Sequence, residues 1–264
     1  MKSTWRGSIS FGLVNIPVRL YTASRQKEIK FHLLHGKDMA KIRYARMCTE
    51  EEKEVPWEEV VKGYELESGH FVVFDDADFE KLNIRKLKTL DIFQFCNLSE
   101  IDPVFMQVPY YIEPEKGAGK AYALLAEALK KAGKVAIVSV AFRNKAHLGF
   151  IKPEGDMLIF VQMRYASEMI SAKDLSIPKV NLVAKEIDMA VQFIKGLTEK
   201  FNPKEYQDTY AKELKEMIAQ KAKGKKVAIP KGKMAPTPKV TNIMSLLKKS
   251  LEASRKTKKM KKSA

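Results

Sequence analysis

The amino-terminal part of the chain alternates between apolar and polar residues, and the alternation changes phase once. Ile9, Phe11 and Leu13 share one parity. Val14, Ile16, Val18 and Leu20 follow on the other parity. Because successive side chains of a strand point to opposite faces, this pattern predicts two strands separated by a bulge or a turn near Gly12.

Further stretches are rich in apolar, β-branched and aromatic residues. They cover residues 41–47, 71–74, 90–95, 108–112, 135–142, 147–151 and 157–165. The last two flank Lys152-Pro153-Glu154-Gly155-Asp156, a composition typical of a hairpin turn. Many short strands at close spacing favour a β-sandwich or a β-barrel.

Helical spacing of apolar residues predicts helices as well. One covers residues 121–132 and stops at Gly133, and a second covers residues 183–197. A third begins at Pro203 with Asn202 as its N-cap, and it carries an apolar side that runs to Ile218. Two long helices after a set of strands exceed what a compact barrel needs, so they predict an arm over the strands or over another subunit.

The positive charge is concentrated at the carboxyl-terminal end. Residues 221–264 hold 14 lysines and Arg255 against the single acid Glu252, which amounts to +14 of the formal net charge of +16. The preceding 220 residues are nearly balanced, with 33 basic and 31 acidic side chains. A basic extension of this kind is typical either of an arm that binds a polyanion or of a solvated tail that keeps a protein soluble.

The same end divides into three parts. Residues 223–239 have the composition of a flexible basic linker. Residues 240–253 are predicted to form a short amphipathic helix, which is marginal alone in water and therefore folds on a partner or on the core. Its apolar stripe consists of Val240, Ile243, Met244, Leu247 and Leu251. Residues 254–264 are predicted to be a lysine-rich disordered tail.

The cysteine content and the hydropathy of the sequence indicate the cellular compartment. The chain has two cysteines, Cys48 and Cys96, and they do not form a C-x-x-C pair, which fits a reducing compartment and small buried side chains. The sequence contains no uninterrupted apolar run of the roughly 18 residues that a membrane-spanning helix needs. We therefore expect a cytoplasmic, nucleoid-associated protein without membrane contact.

An acidic cluster gives the main argument for an enzyme. Asp75, Asp76 and Asp78 are carboxylates that could hold magnesium in a nuclease. Acidic residues are also common in the first turn of a helix, where free N–H groups and the helix dipole stabilise them. The second interpretation is favoured by the sequence.

The other candidate motifs are incomplete. His32 and His35 have the spacing of two metal ligands, but four histidines and two distant cysteines give little from which to complete a zinc site. The stretch Gly117-Ala118-Gly119-Lys120 is similar to the end of a phosphate-binding loop, yet Ala121 stands where a magnesium-binding serine or threonine is needed. No nucleophile motif is present, so the sequence predicts no catalytic residue, no metal and no cofactor.

Basic residues occur within the strand-rich part of the chain. Lys41 and Arg43 share one strand face and Arg46 follows on the opposite parity, with apolar residues between them. Arg143, Lys145, Lys152 and Arg164 stand at the ends and turn of the later strands. Such charges are ordinary on the solvated rim of a sheet. If they converge on one concave surface, they form a track for phosphate groups that does not discriminate between bases.

Three blocks of the sequence resemble the bacterial Ku proteins. They are Thr4-Trp5-Arg6-Gly7-Ser8-Ile9-Ser10-Phe11-Gly12-Leu13-Val14-Asn15-Ile16-Pro17-Val18-Arg19-Leu20-Tyr21, Glu54-Val55-Pro56-Trp57-Glu58-Glu59-Val60-Val61-Lys62-Gly63-Tyr64-Glu65 and Lys145-Ala146-His147-Leu148-Gly149. The resemblance continues into the late helices and covers most of residues 1–220. It implies an α+β, mainly β fold: a β-barrel with extended bridge strands and a helical arm, together forming a core over residues 1–222.

The resemblance also implies a function. It predicts a homodimeric ring that threads onto double-stranded DNA ends in non-homologous end joining, binds sugar and phosphate of any sequence, and recruits the ATP-dependent DNA ligase D. The residues carried over as DNA-binding are Lys41, Arg43, Arg46, Lys62, Arg143, Lys145 and Arg164. The apolar stripe is expected to bind the ligase. The tail lysines expected to contact DNA are Lys256, Lys258, Lys259, Lys261 and Lys262.

The chain begins directly in this core, without the amino-terminal α/β domain of eukaryotic Ku, so eukaryotic partners are not implied. Two alternatives stay open at this point. One is a metal-dependent nuclease that uses the aspartate cluster, and the other is a general nucleoid or RNA-binding protein.

Overall fold

Seven strands close into a barrel in the computed structural model of the protein, which describes residues 2–25, 29–67, 69–81, 88–142 and 145–224. The strands and helices in chain order are β1 (Trp5–Phe11), β2 (Val14–Thr22), β3 (Lys62–Glu65), β4 (Phe71–Phe74), α1 (Asp76–Lys81), β5 (Thr89–Cys96), β6 (Met106–Pro114), α2 (Gly119–Ala132), β7 (Val135–Phe142), β8 (Lys145–Glu154), β9 (Met157–Met163), α3 (Ala184–Leu197) and α4 (Thr209–Ala222). The chain divides into two compact units, Met1–Ser171 and Ala172–Ala264.

The barrel has the strand order β1-β2-β6-β9-β8-β7-β5, and β3 and β4 pair separately as an antiparallel two-stranded sheet. Neighbouring barrel strands are antiparallel except β1 and β5, whose parallel pairing closes the barrel. Gly7 lies at this closure, where a Cβ atom would come 2.0 Å from the carbonyl oxygen of Lys88. Only a residue without a side chain permits that approach.

Both predicted hairpins are confirmed. Phe11 pairs with Val14, so Gly12 and Leu13 form a two-residue turn in which Gly12 has a φ of 59°. Glu154 pairs with Met157, which leaves Gly155 and Asp156 as a turn shorter than the predicted 152–156. Both turns place glycine at positive φ, as tight hairpins require.

The barrel interior and one face of α2 share a single hydrophobic core. Its fully buried side chains include Ile9, Val18, Leu90, Ile151 and Phe160. On α2 the residues Tyr122, Leu125, Ala126 and Leu129 belong to the same cluster. This helix ends as predicted at Gly133, whose backbone is left-handed with a φ of 64°. A residue with a side chain would be strained in this conformation.

The hydroxyl of Tyr122 joins two barrel strands. It donates a 2.7 Å hydrogen bond to the carbonyl oxygen of Ile112 in β6 and accepts one of 2.7 Å from the backbone N–H of Leu158 in β9. Burial raises the pKa of this phenol, so it keeps its proton and donates. The helix is thereby tied to the strands that it covers.

The second unit contains α3 and α4 among its described residues. The helix predicted to begin at Pro203 begins instead at Thr209, because Asn202 caps only a 3₁₀ turn at Pro203–Glu205. The carboxylate of Asp208 accepts a 2.9 Å hydrogen bond from the N–H of Ala211 and caps α4. Neither helix has a buried residue.

The two cysteines were predicted to be buried. Both are half-buried free thiols.

Candidate nucleic-acid interface

The predicted DNA-binding residues Lys41, Arg43 and Arg46 lie in a long exposed segment that follows β2. We call residues 29–67 and 69–81 the hairpin segment. Its chain reverses at residues 35–40, where the N–H of His35 bonds to the carbonyl of Ala40, and again at residues 48–53, where the N–H of Cys48 bonds to the carbonyl of Lys53. Nearly every described side chain in it is exposed, and none is buried.

The stretch 41–47 was predicted to be a strand, and this prediction is wrong. The structure has single bridges there, Leu34 with Lys41 and Met47 with Glu54. In the described residues, the neighbouring segments pair with this run only beside the two turns. The preference of these residues for β-structure does not produce a ladder, because a strand needs a partner that pairs along its length.

Arg46 rests against an aromatic ring. Its Cζ atom is 5.2 Å from the centroid of the Trp57 ring. The N–H of Val55 bonds to the carbonyl of Arg46 at 2.8 Å, so the turn at 48–53 sets Arg46 opposite Val55, two residues before Trp57. Side chains two residues apart on an extended chain share a face, which explains the contact.

Trp57 has no predicted role in the sequence. The contact depends on the pairing across the acidic turn 49–53, which brings residues 46 and 55 together and which the periodicity of the sequence does not reveal. The structure thus adds an aromatic support to one proposed phosphate contact. Lys41 and Arg43 precede Arg46 in the same exposed run.

Lys62 is the first residue of β3 and has two local partners. Its Nζ atom donates a 2.9 Å hydrogen bond to Oδ1 of Asp76, and it lies 4.9 Å from the centroid of the Phe79 ring. Both members of the ion pair are mostly exposed, so water and salt screen their attraction. The ammonium group can therefore exchange Asp76 for another anion at small cost.

Arg164 directly follows β9 and holds a neighbouring turn. Its Nη1 atom donates to the carbonyl oxygens of Val104 at 3.0 Å and Met106 at 3.1 Å. Its backbone N–H donates to the carbonyl of Phe105 at 2.8 Å. The side chain is half-buried, so this arginine fastens the start of β6 to the end of β9.

The structure does not describe the side chains of the remaining residues predicted to bind DNA or the ligase. Lys145 opens β8, but its side chain is not among those described, and Arg143 lies outside the described residues. The stripe from Val240 to Leu251 and the five tail lysines, Lys256 to Lys262, also lie outside them. Their roles stay predictions.

The aspartate cluster forms a helix cap. The N–H of Asp78 donates to Oδ1 of Asp75 at 2.8 Å, the N–H of Asp75 donates to Oδ2 of Asp78 at 3.2 Å, and Asp76 binds Lys62. This is the reciprocal arrangement of a capping box at the start of α1. In the part of the chain that the structure describes, no group of three histidine, cysteine, aspartate or glutamate side chains is arranged to hold a metal ion.

Of the two histidines with metal-ligand spacing, His32 and His35, the second is bonded within its own turn. Nδ1 of His35 lies 2.9 Å from Oδ1 of Asp38, and that carboxylate also accepts the N–H of Ala40 at 3.0 Å. The histidine therefore stabilises the turn at 35–40.

A further basic pair, which was not predicted, lies on the outside of the barrel. Arg6 and Arg19 are cross-strand partners in β1 and β2, and both donate to Glu115. These hydrogen bonds, from Arg6 first and Arg19 second, lower the pKa of Glu115. In β1 and β2 the residues 6 and 19 lie on the face opposite to the apolar residues. This alternation was the signal in the sequence that both arginines face outward.

None of the described helices is long and apolar enough to cross a membrane.

Comparison with known proteins gives a consistent result. Residues 10–189 match the family model described as the Ku70/Ku80 beta-barrel domain. The chain is 40% identical over 256 residues to the non-homologous end joining protein Ku of Opitutus terrae, covering 95% of this chain and 91% of that protein. It is 37% identical to the protein of the same name from Bacillus subtilis, covering 97% and 83%, and 37% identical to that from Archaeoglobus fulgidus, covering 96% and 99%.

Proposed function

Because the chain belongs to the Ku family, we propose that it binds the ends of double-stranded DNA in non-homologous end joining. The observation that carries the proposal is the match to the Ku barrel over residues 10–189, together with relatives along nearly the whole chain. The exposed basic run 41–46 supports it, because guanidinium and ammonium groups that are free of the core can reach phosphate oxygens.

Binding is independent of DNA sequence in this proposal. A phosphate group needs positive charge rather than a pattern of donors and acceptors. Arg46, which rests on Trp57, and Lys62, which can exchange Asp76 for another anion, meet this need. Affinity therefore falls steeply as salt rises. Further proposed phosphate contacts are Lys41, Arg43, Arg143, Lys145 and Arg164. Arg164 would use the guanidinium N–H groups that do not bond to Val104 and Met106.

The protein acts as a homodimer in the proposed function, and two copies form a ring around the duplex. Exposed apolar side chains support this, since a soluble protein rarely leaves so many uncovered. In the hairpin segment they include Tyr64, Phe71 and Val73, which are 64%, 63% and 58% exposed. In the second unit, considered by itself, Ile187, Val191 and Ile194 form an exposed stripe on α3.

The chemistry of repair belongs to a partner in this proposal. The chain supplies no catalytic residue and no cofactor. It recruits DNA ligase D through the stripe of Val240, Ile243, Met244, Leu247 and Leu251, while the terminal lysines add DNA contacts. The place of action is the cytoplasm, at the nucleoid.

A comparison of linear and covalently closed circular duplexes of the same sequence tests the proposal. A ring that threads onto ends binds the linear duplex and is displaced only weakly by the circle. Equal affinity for both would contradict end binding and would favour a general nucleoid protein. Incubation of the linear duplex with magnesium serves as a control, because progressive shortening of the DNA would favour the nuclease alternative.

The oligomeric state needs its own measurement. Sedimentation equilibrium of the free protein is expected to give twice the 30.0 kDa mass of one chain. A monomeric mass at micromolar concentration, with end binding retained, would remove the ring from the proposal and leave the end binding.

A further inference from the structure

An apolar groove lies between α2 and the hairpin that joins β1 to β2. Its volume is about 370 Å³. Phe11, Val14 and Phe95 form the strand side, and Leu124 and Ala128 belong to the helix side. The rings of Phe11 and Phe95 meet edge to face with centroids 5.7 Å apart, which gives that side a fixed aromatic wall.

The groove is open although its lining is hydrophobic. Leu124 is 72% exposed, Val14 47%, and Phe11 and Phe95 are each 43% exposed. Leu13, in the turn beside them, is fully exposed. The opposite face of α2 is already buried in the barrel core, so these side chains are surplus to the packing of the fold. A cluster of this kind is typical of a surface that another protein covers.

The dimensions fit a short helix. The groove is bounded on α2 by positions 121, 124, 125, 128 and 132, which span about 16 Å or three helical turns. Three of these positions are alanines, and small residues let a second helix approach closely and insert larger side chains between them. A partner with leucine-like residues at helical spacing would fill the volume.

The charge beside the groove selects the partner. Lys120 and Lys131 lie on the solvent-facing flank of α2 next to Leu124, and Lys134 lines one end. Glu127 on the same flank is 3.7 Å from Lys131 and offsets one of these charges. Lys134 donates a 2.8 Å hydrogen bond to Asn97, whose side chain also bonds to Glu100, so three lysines face two carboxylates at the rim. The rim is therefore net positive, and acidic residues on a partner are complementary to it.

The charge of the rim argues against one other occupant, and the apolar lining argues against a second. The stripe of this chain carries Lys248 and Lys249 directly after Leu247, so it would bring like charge to the rim. A DNA backbone matches the lysines but offers no apolar side chains to cover the groove.

We propose that the groove between α2 and the β1–β2 hairpin binds an amphipathic helix of about three turns from another protein, with acidic residues flanking its apolar face.

Binding of designed peptides to the full-length protein tests this proposal. The probe is a fluorescent helical peptide of about 14 residues with leucines on one face and glutamates beside them, and its counterpart has lysines in place of the glutamates. Fluorescence anisotropy is expected to give about tenfold tighter binding of the glutamate peptide, and the preference shrinks in high salt.

A pair of variants on one helix locates the binding. Leu124→Glu places a charge in the groove and is expected to weaken binding of the glutamate peptide about tenfold or more. Ala123→Glu adds the same charge at an exposed position turned away from the groove and serves as the matched control, with less than about a twofold effect expected. Unchanged binding of DNA ends by both variants shows that they are folded.

Four results would overturn the proposal. The first is equal binding of the two peptides, and the second is equal binding by Leu124→Glu and the wild type. The third is that a peptide of residues 240–253 binds as tightly as the glutamate probe, which would assign the groove to the stripe of this chain. A change in the sedimentation mass of Leu124→Glu would instead assign it to a second copy and would overturn the proposal as well.

Discussion

The guanidinium carbon of Arg46 lies 5.2 Å from the centroid of the Trp57 ring. Both side chains are exposed, with Trp57 at 67%, so the contact does not come from burial in a core. The ring restricts a long side chain that would otherwise be mobile, and a cation over an exposed ring is stabilised by about 0.5–1 kcal/mol. The side chain of Arg46 is thereby held in place by its own chain.

Removing the ring is expected to weaken DNA end binding. Trp57→Ala should lower the affinity about two- to fivefold per chain, which corresponds to the loss of the cation–π contact. Trp57→Phe keeps an aromatic face and should retain most of the affinity. Anisotropy titrations with a short blocked duplex measure both, and the idea fails if the alanine variant binds like the wild type while Arg46→Ala does not.

This contact also shows where prediction from sequence stops. The Gly12 turn and the end of α2 at Gly133 were predictable, because each depends on neighbours in the chain and on a positive φ that glycine allows. The contact of Arg46 with Trp57 depends on which residues pair across the turn at 48–53, and periodicity does not give that register. The stretch 41–47 was wrongly predicted as a strand because neighbouring segments pair with it only through isolated bridges.

The beginning of α4 illustrates a second limit. Asn202 and Asp208 are both good caps, and the sequence favoured the first because Pro203 follows it. In the structure Tyr206 is extended and ends the 3₁₀ turn, so the helix starts at the second cap. Two nearby caps differ by a small free energy, so the sequence pattern does not decide between them. The exposed groove beside α2 was not predictable at all, because its residues come from β1, β2, β5 and α2.

The ion pair between Lys62 and Asp76 predicts a gain of affinity. In Asp76→Asn the ammonium group loses its anionic neighbour at 2.9 Å and becomes available to phosphate. The pair is exposed, so we expect only about a twofold increase in affinity at low salt, and the increase should vanish at high salt. Asp156→Asn, in the turn between β8 and β9, is the control for the general effect of removing one negative charge. Weaker binding by Asp76→Asn than by this control would contradict the role given to Lys62.

Loss of the Tyr122 hydroxyl is expected to destabilise the barrel. Tyr122→Phe removes both 2.7 Å hydrogen bonds and leaves the carbonyl of Ile112 and the N–H of Leu158 without that partner. We expect the free energy of unfolding to fall by about 2–3 kcal/mol in urea titrations, because buried polar groups lose their bonds. Tyr111→Phe, at an exposed residue of β6, should change it by less than about 0.5 kcal/mol. Similar losses in both variants would contradict this account.

Glu115 predicts a pH dependence of stability. Arg6 and Arg19 lower the pKa of Glu115 in the folded protein, so the stabilisation is fully present above the pKa of an ordinary glutamate in the unfolded chain. It is lost as pH falls through the lower, folded pKa. Glu115→Gln should therefore unfold at a lower temperature than the wild type at neutral pH, with two cross-strand arginines left facing each other.

The difference in melting temperature between the wild type and Glu115→Gln should shrink as the pH is lowered into the acid range. Glu127→Gln removes a carboxylate from an exposed pair with Lys131 and should change little at either pH. Thermal unfolding at a series of pH values measures all three proteins. A difference that grows on acidification has the wrong sign for a carboxylate with a lowered pKa.

The carboxyl-terminal end is predicted to carry two functions in different residues, DNA contact in the lysine tail and ligase binding in the apolar stripe. Replacing Lys256, Lys258, Lys259, Lys261 and Lys262 by glutamine should reduce the salt dependence of DNA binding, since each phosphate contact contributes about 0.9 to the slope of log affinity against log salt. Leu247→Glu should leave that slope unchanged and weaken binding of ligase D, because a charge interrupts the apolar stripe. Ser245→Glu lies on the opposite side of the predicted helix and controls for added charge. If Leu247→Glu changed the salt slope while the glutamine variant lost the ligase, the assignments of stripe and tail would be reversed.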